Sequence, residues 1–600
     1  MLQPTNRLTL IDAMRPPAGF RLDSAMAVTF TLDLRALLAA PAAFALTGPN
    51  GIEPGESSLE PIELLHAVRS YSDKITVFSQ VGEIALPPSR RVFAFLERSV
   101  VPVRAPRHGV VHPKVWVLRY EPATPTSDAD RDGGCRLRVL VASRNLTFDA
   151  SWDTVVRLDQ TTTEPGADLA GVADMFVGLL EHADDALVER HRDRVRSLSD
   201  DLRAARFALP AGVDDLRVHV LGLTGVPSPL PIRAERSLIV SPFVSNDFFT
   251  SVRPAKVDEL VSRPEALDDL DSTTLGQIGS VYAFDDGSAP DHTRVEDHWS
   301  TEDPGRPLVG LHAKVFAFES DGRARLFLGS ANATGAAFGA NVEILLEFTG
   351  SVDALGIDRL CDGSDDEPGL RALLATYTGP ADPEAGLGDS SLDAVRRRMA
   401  RLAIDGTVEE SGSGWAVTYR SDEPVAAVPD AEVFCWPLAS PGNRRKVVTD
   451  VPFEARFETT LETMSGFLAF EVAATDRTIT QFVVPVPLAG VPEHRDRALL
   501  RALVGNAERF FRYLLALLNE DPGHMKLLDV VERLGTEGNG RDLTTLPVLE
   551  QLLRTMRCDP AKLAGLHPLV SDLAADDALP YGFAELWKTI YDVGVVGAGS

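Results

Sequence analysis

A histidine and a lysine two positions apart, followed by a strand that ends in Ser-x-Asn, occur twice in the 600 residues. The first set is His112-Pro113-Lys114 with Ser143-Arg144-Asn145, and the second is His312-Ala313-Lys314 with Ser330-Ala331-Asn332. Alternation with period two puts the His and Lys of each pair on one side of a strand. An imidazole with an unperturbed pKa of roughly 6.5 can be nucleophile, acid or base near neutrality. An ammonium is a compact donor to phosphate oxygens, and a carboxamide adds an uncharged one. If each pair of strands forms a hairpin, three phosphate-liking side chains can converge on one spot, and the chain repeats the arrangement.

With 12 His and 8 Lys in the chain, chance yields about 0.16 His-x-Lys pairs. A third pair, His524-Met525-Lys526, follows Pro522-Gly523 in a helical stretch with no Ser-x-Asn strand after it, and reads as a helix start with a surface lysine. A histidine satisfied at a sheet end would explain either of the other sets singly. It does not explain their recurrence. His112 and Asn145 are 33 positions apart, His312 and Asn332 are 20 apart, and the difference is the thirteen-residue loop 122–134, rich in Pro, Thr, Asp and Gly. Without that loop the sets superpose at an offset of 200 residues, the mark of an internal duplication. Two of the eight lysines sit in these sets in a chain with 51 arginines.

The elements that position these residues read as alternating strands and helices, an α/β layer structure. An opening strand at 27–32 precedes helices, a strand at 74–78, the strand bearing His112, and a strand at 136–142. A helix within 169–205 closes the first half. The second half repeats the opening with a strand at 237–244 followed by a helix, then the strand bearing His312 and another at 342–348. The acidic region 362–389 reads as a boundary. Short strands at 416–419, 431–434, 467–472 and 481–484 suggest a small β-sandwich, and the pattern from Arg495 onward is helical. The expected domains are therefore 1–208, 209–395, 396–490 and a helical 491–600.

Composition narrows the function. At 44% apolar and 24% charged the chain is ordinary for a globular protein, and it has no apolar run of about 18 residues. The first thirty residues lack a basic segment followed by an apolar core, and the four cysteines form no CxxC or Cys/His cluster. A reduced, cytoplasmic protein with no structural zinc, no cofactor and no membrane partner is expected. The net charge of −28 argues against coating nucleic acid with the whole surface. A local exception is the segment 87–120, with seven Lys/Arg against one acid, including Arg90, Arg91, Arg104 and Arg107 beside His112. With Arg144 these are the candidate nucleic-acid contacts.

Two HxK…N motifs in one chain resemble the phospholipase D superfamily, in which two such repeats face each other across one active site. The resemblance spans roughly residues 20–360. The Asp that usually follows the Lys is missing from both halves, while Ser143-Arg144-Asn145-Leu146 with Trp152, and Ser330-Ala331-Asn332-Ala333, resemble the tyrosyl-DNA phosphodiesterase-like branch. Asn341-Val342-Glu343 resembles the family's downstream Asn-x-Glu, where the first half has Asp153-Thr154-Val155.

The resemblance implies two pseudo-symmetric repeats of mixed sheets flanked by helices, and a metal-independent phosphodiesterase working through a phosphohistidine. It implies His112 as nucleophile and His312 as acid/base, roles that the residues alone leave interchangeable. Lys114, Lys314, Asn145 and Asn332 would hold phosphate oxygens, with Ser143, Ser330, Glu343 and Asp153 in support. A nuclease acting on DNA or RNA fits best. The alternatives are a phospholipase or phosphatidyltransferase and a non-catalytic nucleic-acid-binding scaffold. The 400–600 region is a candidate for a protein partner or self-association, as in effectors of bacterial anti-phage defence.

Overall fold

The computed structural model describes residues 10–45, 61–88, 91–123, 134–147, 151–284 apart from 164, 224 and 226, 310–412 apart from 365–366 and 380–389, 414–474 apart from 426 and 428–430, 479–504, 514, 548–558, 583–592 and a few positions between the last two segments. The His524-Met525-Lys526 triplet and Arg90 lie outside the described residues.

Two eight-stranded mixed sheets form the bulk of residues 20–376. The first contains β1 (Phe20–Thr29), β2 (Ile75–Gln80), β3 (Val100–Val103), β4 (Val115–Pro122), β5 (Arg136–Ala142), β6 (Val155–Thr161), β7 (Gly166–Ala167) and β8 (Arg206–Ala208), in spatial order β3-β2-β1-β4-β5-β6-β8-β7. The second contains β9 (Val213–Leu221), β10 (Arg236–Val240), β11 (Glu259–Ser262), β12 (Ser280–Phe284), β13 (Val315–Ser320), β14 (Arg323–Gly329), β15 (Glu343–Ser351) and β16 (Leu374–Thr376). Its order is β16-β12-β11-β10-β13-β14-β15-β9. From β3 to β6 and from β12 to β15 the two sheets have the same strand sequence in space. Each has three parallel strands (β1, β2, β3; β10, β11, β12) and then antiparallel neighbours (β4, β5, β6; β13, β14, β15).

Continuous apolar runs make β4 and β13 central strands buried on both faces. Val115 and Val117 face a core shared by the two sheets, with Val315 and Ala317 of β13, and the helices Ala170–Leu180 and Arg192–Ala204 supply Phe176, Leu179, Leu198 and Leu202 to it. The alternate residues point the opposite way. Trp116, Leu118 and Tyr120 meet the helices Leu34–Ala45 and Pro61–Tyr71, while Phe316 and Phe318 meet Phe248 and Phe327. Burying each such side chain is worth roughly 1.5–3 kcal/mol, which holds the edges of β4 and β13, where the histidines sit, in fixed register.

The helix expected after β10 is a single five-residue π-helical turn, Phe248–Val252, which ends where Arg253 turns left-handed (φ 51°) ahead of Pro254. The acidic region expected as a boundary contributes β16, which pairs with β12. Beyond it lie two further sheets. A four-stranded sheet contains Pro452–Thr459, Gly414–Pro424, Asp405–Ser411 and Leu488–Ala489, and a six-stranded one contains Ile479–Pro485, Phe467–Ala474, Ala431–Pro437 and Arg445–Lys446. The six-stranded sheet is completed by Leu32–Asp33 and Ile84–Ala85, so the early chain is built into it. The two sheets share a core of Tyr419, Phe457, Phe470 and Val484, with the rings of Phe453 and Phe470 5.8 Å apart.

The helix Arg495–Val504 packs Leu499, Leu500 and Leu503 into the same core as the helix Leu34–Ala45. At that junction the buried Arg495 guanidinium donates to both oxygens of Glu97 at 2.9 and 3.1 Å and to the Met464 carbonyl at 2.7 Å. The Gly466 amide also donates to Glu97, at 2.8 Å. Breaking such a buried pair typically costs about 3–5 kcal/mol.

Candidate active site

Each histidine lies just ahead of a central strand, and the other half holds it there. The His112 amide donates to the Val342 carbonyl at 2.9 Å, and Val111 and Val342 form a parallel bridge. In the mirrored position the amides of His312 and Ala313 donate to the Trp152 carbonyl at 2.8 and 2.9 Å, and Leu311 bridges Trp152. Trp152 is itself buried, stacked on Phe284. Gly109 enforces this closeness on the His112 side. A Cβ there would lie 2.0 Å from the Ala340 carbonyl oxygen, so any side chain would push the halves apart.

The lysines follow their histidines into the interior. Lys114 is 3% exposed and Lys314 fully buried. Each ammonium donates to the carbonyl of the histidine two residues earlier, at 2.6 and 2.7 Å, and Lys314 Nζ also lies 3.1 Å from His312 Nδ1. Burial, reinforced by Lys314, holds the Lys114 ammonium well below its ordinary pKa, although Glu343 acts in the opposite direction. The Ser-x-Asn turns are pinned alike. Ser143 donates its amide to the Thr154 carbonyl and accepts the Thr154 amide on Oγ, both at 2.9 Å. Ser330 exchanges the same two bonds with Ile344, at 2.9 and 3.0 Å. Asn145 and Asn332 stand just beyond these pins, each with a buried Oδ1 that has no hydrogen-bond partner. Their NH2 groups are the donors suited to a phosphate oxygen.

Thr154 and Ile344 are thus equivalent, which makes Asp153 the counterpart of Glu343, but the two carboxylates do different things. Glu343 is fully buried and accepts from His112 Nδ1 at 2.9 Å, and Ser330 Oγ donates to the same oxygen. Asn341 steadies this segment by accepting the Val110 amide at 3.1 Å. Asp153 instead pairs with the Arg144 guanidinium at 3.2 Å. His312 has at Nδ1 an ammonium where His112 has a carboxylate.

Burial lowers the pKa of His112 to about 4; Glu343 opposes the shift and Lys114 adds to it. Burial and the charges of Lys314, Lys114 and Arg263 lower that of His312 to about 2. Both imidazoles are therefore neutral at pH 7, and each histidine lies within the field of the other half's lysine.

The six residues His112, Lys114, Asn145, His312, Lys314 and Asn332, with Ser143, Ser330, Glu343, Asp153 and Arg144, come together where the two sheets meet. The basic segment is placed differently. Arg91 and Arg107 are exposed, Arg107 in a left-handed turn (φ 55°), and Arg104 donates to the Arg401 carbonyl at 2.8 Å, toward the appended sheets. Among the described residues no group of three or more His, Cys, Asp or Glu is arranged to hold a metal ion.

Residues that motif counting misses line the rim. The Phe30 ring meets the His112 imidazole edge-on with centroids 5.2 Å apart. Gln80 accepts the Val111 amide at 2.7 Å, and Arg263 donates to the Leu311 carbonyl at 2.8 Å. The available signal is their place at the carboxyl ends of parallel strands, where α/β sheets gather ligand-binding groups.

No family model matches the sequence, and no curated protein does. Solved structures similar to this one include a variant of yeast tyrosyl-DNA phosphodiesterase, at 11% identity and TM-score 0.30, covering 57% of this chain and 84% of that one. A second yeast variant gives 12% identity and TM-score 0.30 over 57% and 85%. Polyphosphate kinase from Porphyromonas gingivalis gives 13% and 0.30 over 65% of this chain and 50% of its own.

Proposed function

We propose that the chain is a phosphodiesterase of the phospholipase D kind that cleaves nucleic acid at one site between two pseudo-symmetric repeats, residues 1–208 and 209–395, with 396–490 and 491–600 appended. The observation that carries this reading is the crossed construction of the site. Glu343 of the second half holds His112 of the first, and the Trp152 carbonyl of the first half holds the His312 backbone of the second.

The carboxylate behind His112 fixes its proton on Nδ1 and leaves the Nε2 lone pair free to attack phosphorus. A P–N bond forms, the bond from phosphorus to the leaving oxygen breaks, and Glu343 offsets the charge arising on the imidazole. Lys114, Lys314, Asn145 and Asn332 donate to the non-bridging oxygens as charge builds in the pentacovalent state. His312 supplies the leaving oxygen with its proton. Burial and the lysines depress the His312 pKa, and a bound phosphodiester anion opposes both, so substrate itself favours the protonated acid. Water then displaces His112 from phosphorus, with His312 as base. Nucleic acid is favoured as substrate by the cations beside the site, Arg144 and Arg263, which suit a polyanionic strand.

The direct test incubates purified protein, in EDTA, with labelled single-stranded DNA, duplex DNA, RNA and phosphatidylcholine. Cleavage of nucleic acid under chelation is expected. Hydrolysis of the lipid alone, or loss of activity that magnesium restores, would overturn the reading. Restraint of the nuclease by a partner docked on the 400–600 region, as in a defence effector, belongs to the same proposal. Unrestrained activity in cells, with no partner recovered, would contradict that part.

A further inference from the structure

The two ends of the site share one construction and differ in finish. In the first half Thr29 Oγ1 accepts the Leu146 amide at 3.0 Å and donates to the Thr31 carbonyl at 2.8 Å. In the second, Ser241 Oγ accepts the Ala333 amide at 2.9 Å and donates to the Phe243 carbonyl at 2.7 Å. Thr31 and Phe243 therefore occupy equivalent places, one beside Asn145 and the other beside Asn332. The neighbouring parallel strand repeats the correspondence. Gln80, at the end of β2, bonds the backbone of Val111 just ahead of His112, and Arg263, one residue past β11, bonds that of Leu311 just ahead of His312. The first half thus presents Thr31 and Gln80, while the second presents an aromatic ring and a guanidinium.

That ring is unusual in its exposure. Phe243 is 49% exposed, the only aromatic among the exposed large apolar side chains of the described residues, and the Arg263 guanidinium carbon lies 5.3 Å from its centroid. A single apolar side chain in water needs no explanation. This one is fixed at the rim of the site by the same hydroxyl that pins the turn after Asn332, with its cation fixed by the residue before His312. Aromatic faces accept any base by stacking, and an adjacent guanidinium adds a phosphate contact and a cation–π term.

We infer that Phe243 and Arg263 form a one-sided platform that stacks the nucleobase of the leaving nucleotide of a single strand and holds its phosphate. This inference rests on the proposed reaction, in which the leaving oxygen departs toward His312, opposite the attack by His112. The fragment retained on His112 meets Thr31 and Gln80 at the corresponding positions, and the ring on that side, Phe30, is engaged edge-on with the His112 imidazole. The site therefore grips its substrate unequally, by the leaving side.

The experiment compares cleavage of three oligodeoxynucleotides by the full chain: one intact, one abasic at the leaving nucleoside, and one abasic at the retained nucleoside. Phe243→Ala should lower kcat/KM about tenfold or more on the intact strand, and by a similar factor when the retained base is missing. It should cost nothing further when the leaving base is missing. Phe243→Trp should restore the wild-type value. Equal losses on all three strands, or none on the intact one, would overturn the platform. A second readout separates this failure from failure of the nuclease reading. A 2-aminopurine strand bound to the His112→Ala protein should be quenched, and adding Phe243→Ala should relieve the quenching. Phe243-dependent quenching without cleavage by the unaltered protein would keep the platform and sink the nuclease; cleavage with Phe243-independent kinetics and quenching would do the reverse.

Discussion

His112 and His312 stand at equivalent places ahead of equivalent strands, yet one has a carboxylate at Nδ1 and the other an ammonium. The backbone pins around them agree to within about a tenth of an ångström, so the difference arises from side chains alone. Matching backbone bonds place the two imidazoles in corresponding positions of the two sheets. In the proposed reaction these unequal neighbours divide the labour: Glu343 would favour His112 as nucleophile by stabilising positive charge on its ring, whereas burial together with Lys314 and Arg263 would bias His312 toward giving its proton away.

The largest expected effects come from removing the imidazoles. His112→Ala and His312→Ala should each lower turnover of an oligonucleotide by at least about a thousandfold with unchanged circular dichroism. A substrate that expels p-nitrophenol needs no acid. On it the His312→Ala variant should recover the first chemical step, seen as a burst of p-nitrophenol, while His112→Ala should stay inactive. Equal recovery by both variants would erase the distinction between the halves.

A smaller effect separates the carboxylates. Glu343→Gln should cut kcat by about 10–1,000-fold through loss of the His112 orientation and charge. Asp153→Asn should cost less than about tenfold and act mainly on KM, because Asp153 holds Arg144 and not a histidine. The pH profiles provide the finer contrast. Glu343 raises the His112 pKa against the dominant effect of burial. The activity that requires neutral His112, lost as pH falls through about 4 in the free enzyme, should therefore persist to lower pH in Glu343→Gln and be unmoved in Asp153→Asn. Matching profiles in the two variants would contradict the asymmetry.

Much of this site is legible in the sequence, because two lysines and two histidines at one reduced spacing are costly to explain otherwise. The strands carrying them are legible for the same physical reason that they are buried: unbroken apolar runs such as 115–118 and 315–318 admit few alternatives. The division of labour is not legible. Whether Asp153 reaches His312 or Arg144 depends on side-chain geometry across a turn, where it meets Arg144 at 3.2 Å, and no spacing rule encodes that. Gln80, Arg263 and Phe243 escape notice because each is an ordinary residue at a strand end, made significant only by its counterpart in the other sheet. Leu32–Asp33 and Ile84–Ala85 are also invisible as strands. At two residues each they are set by the edge of the sheet that they extend, about 400 positions away in sequence.

In the proposed reaction His112 alone carries the phosphoryl group. The most direct measurement is to mix the His312→Ala protein with an oligonucleotide 5′- or 3′-p-nitrophenyl phosphodiester, quench in base to preserve phosphohistidine, and map the adduct by peptide mass spectrometry. A nucleotidyl group is expected on the peptide containing His112 and none on the peptide containing residue 312 in the reciprocal His112→Ala protein. An adduct on His312 in that reciprocal variant, or release of p-nitrophenol with no adduct on either peptide, would contradict it.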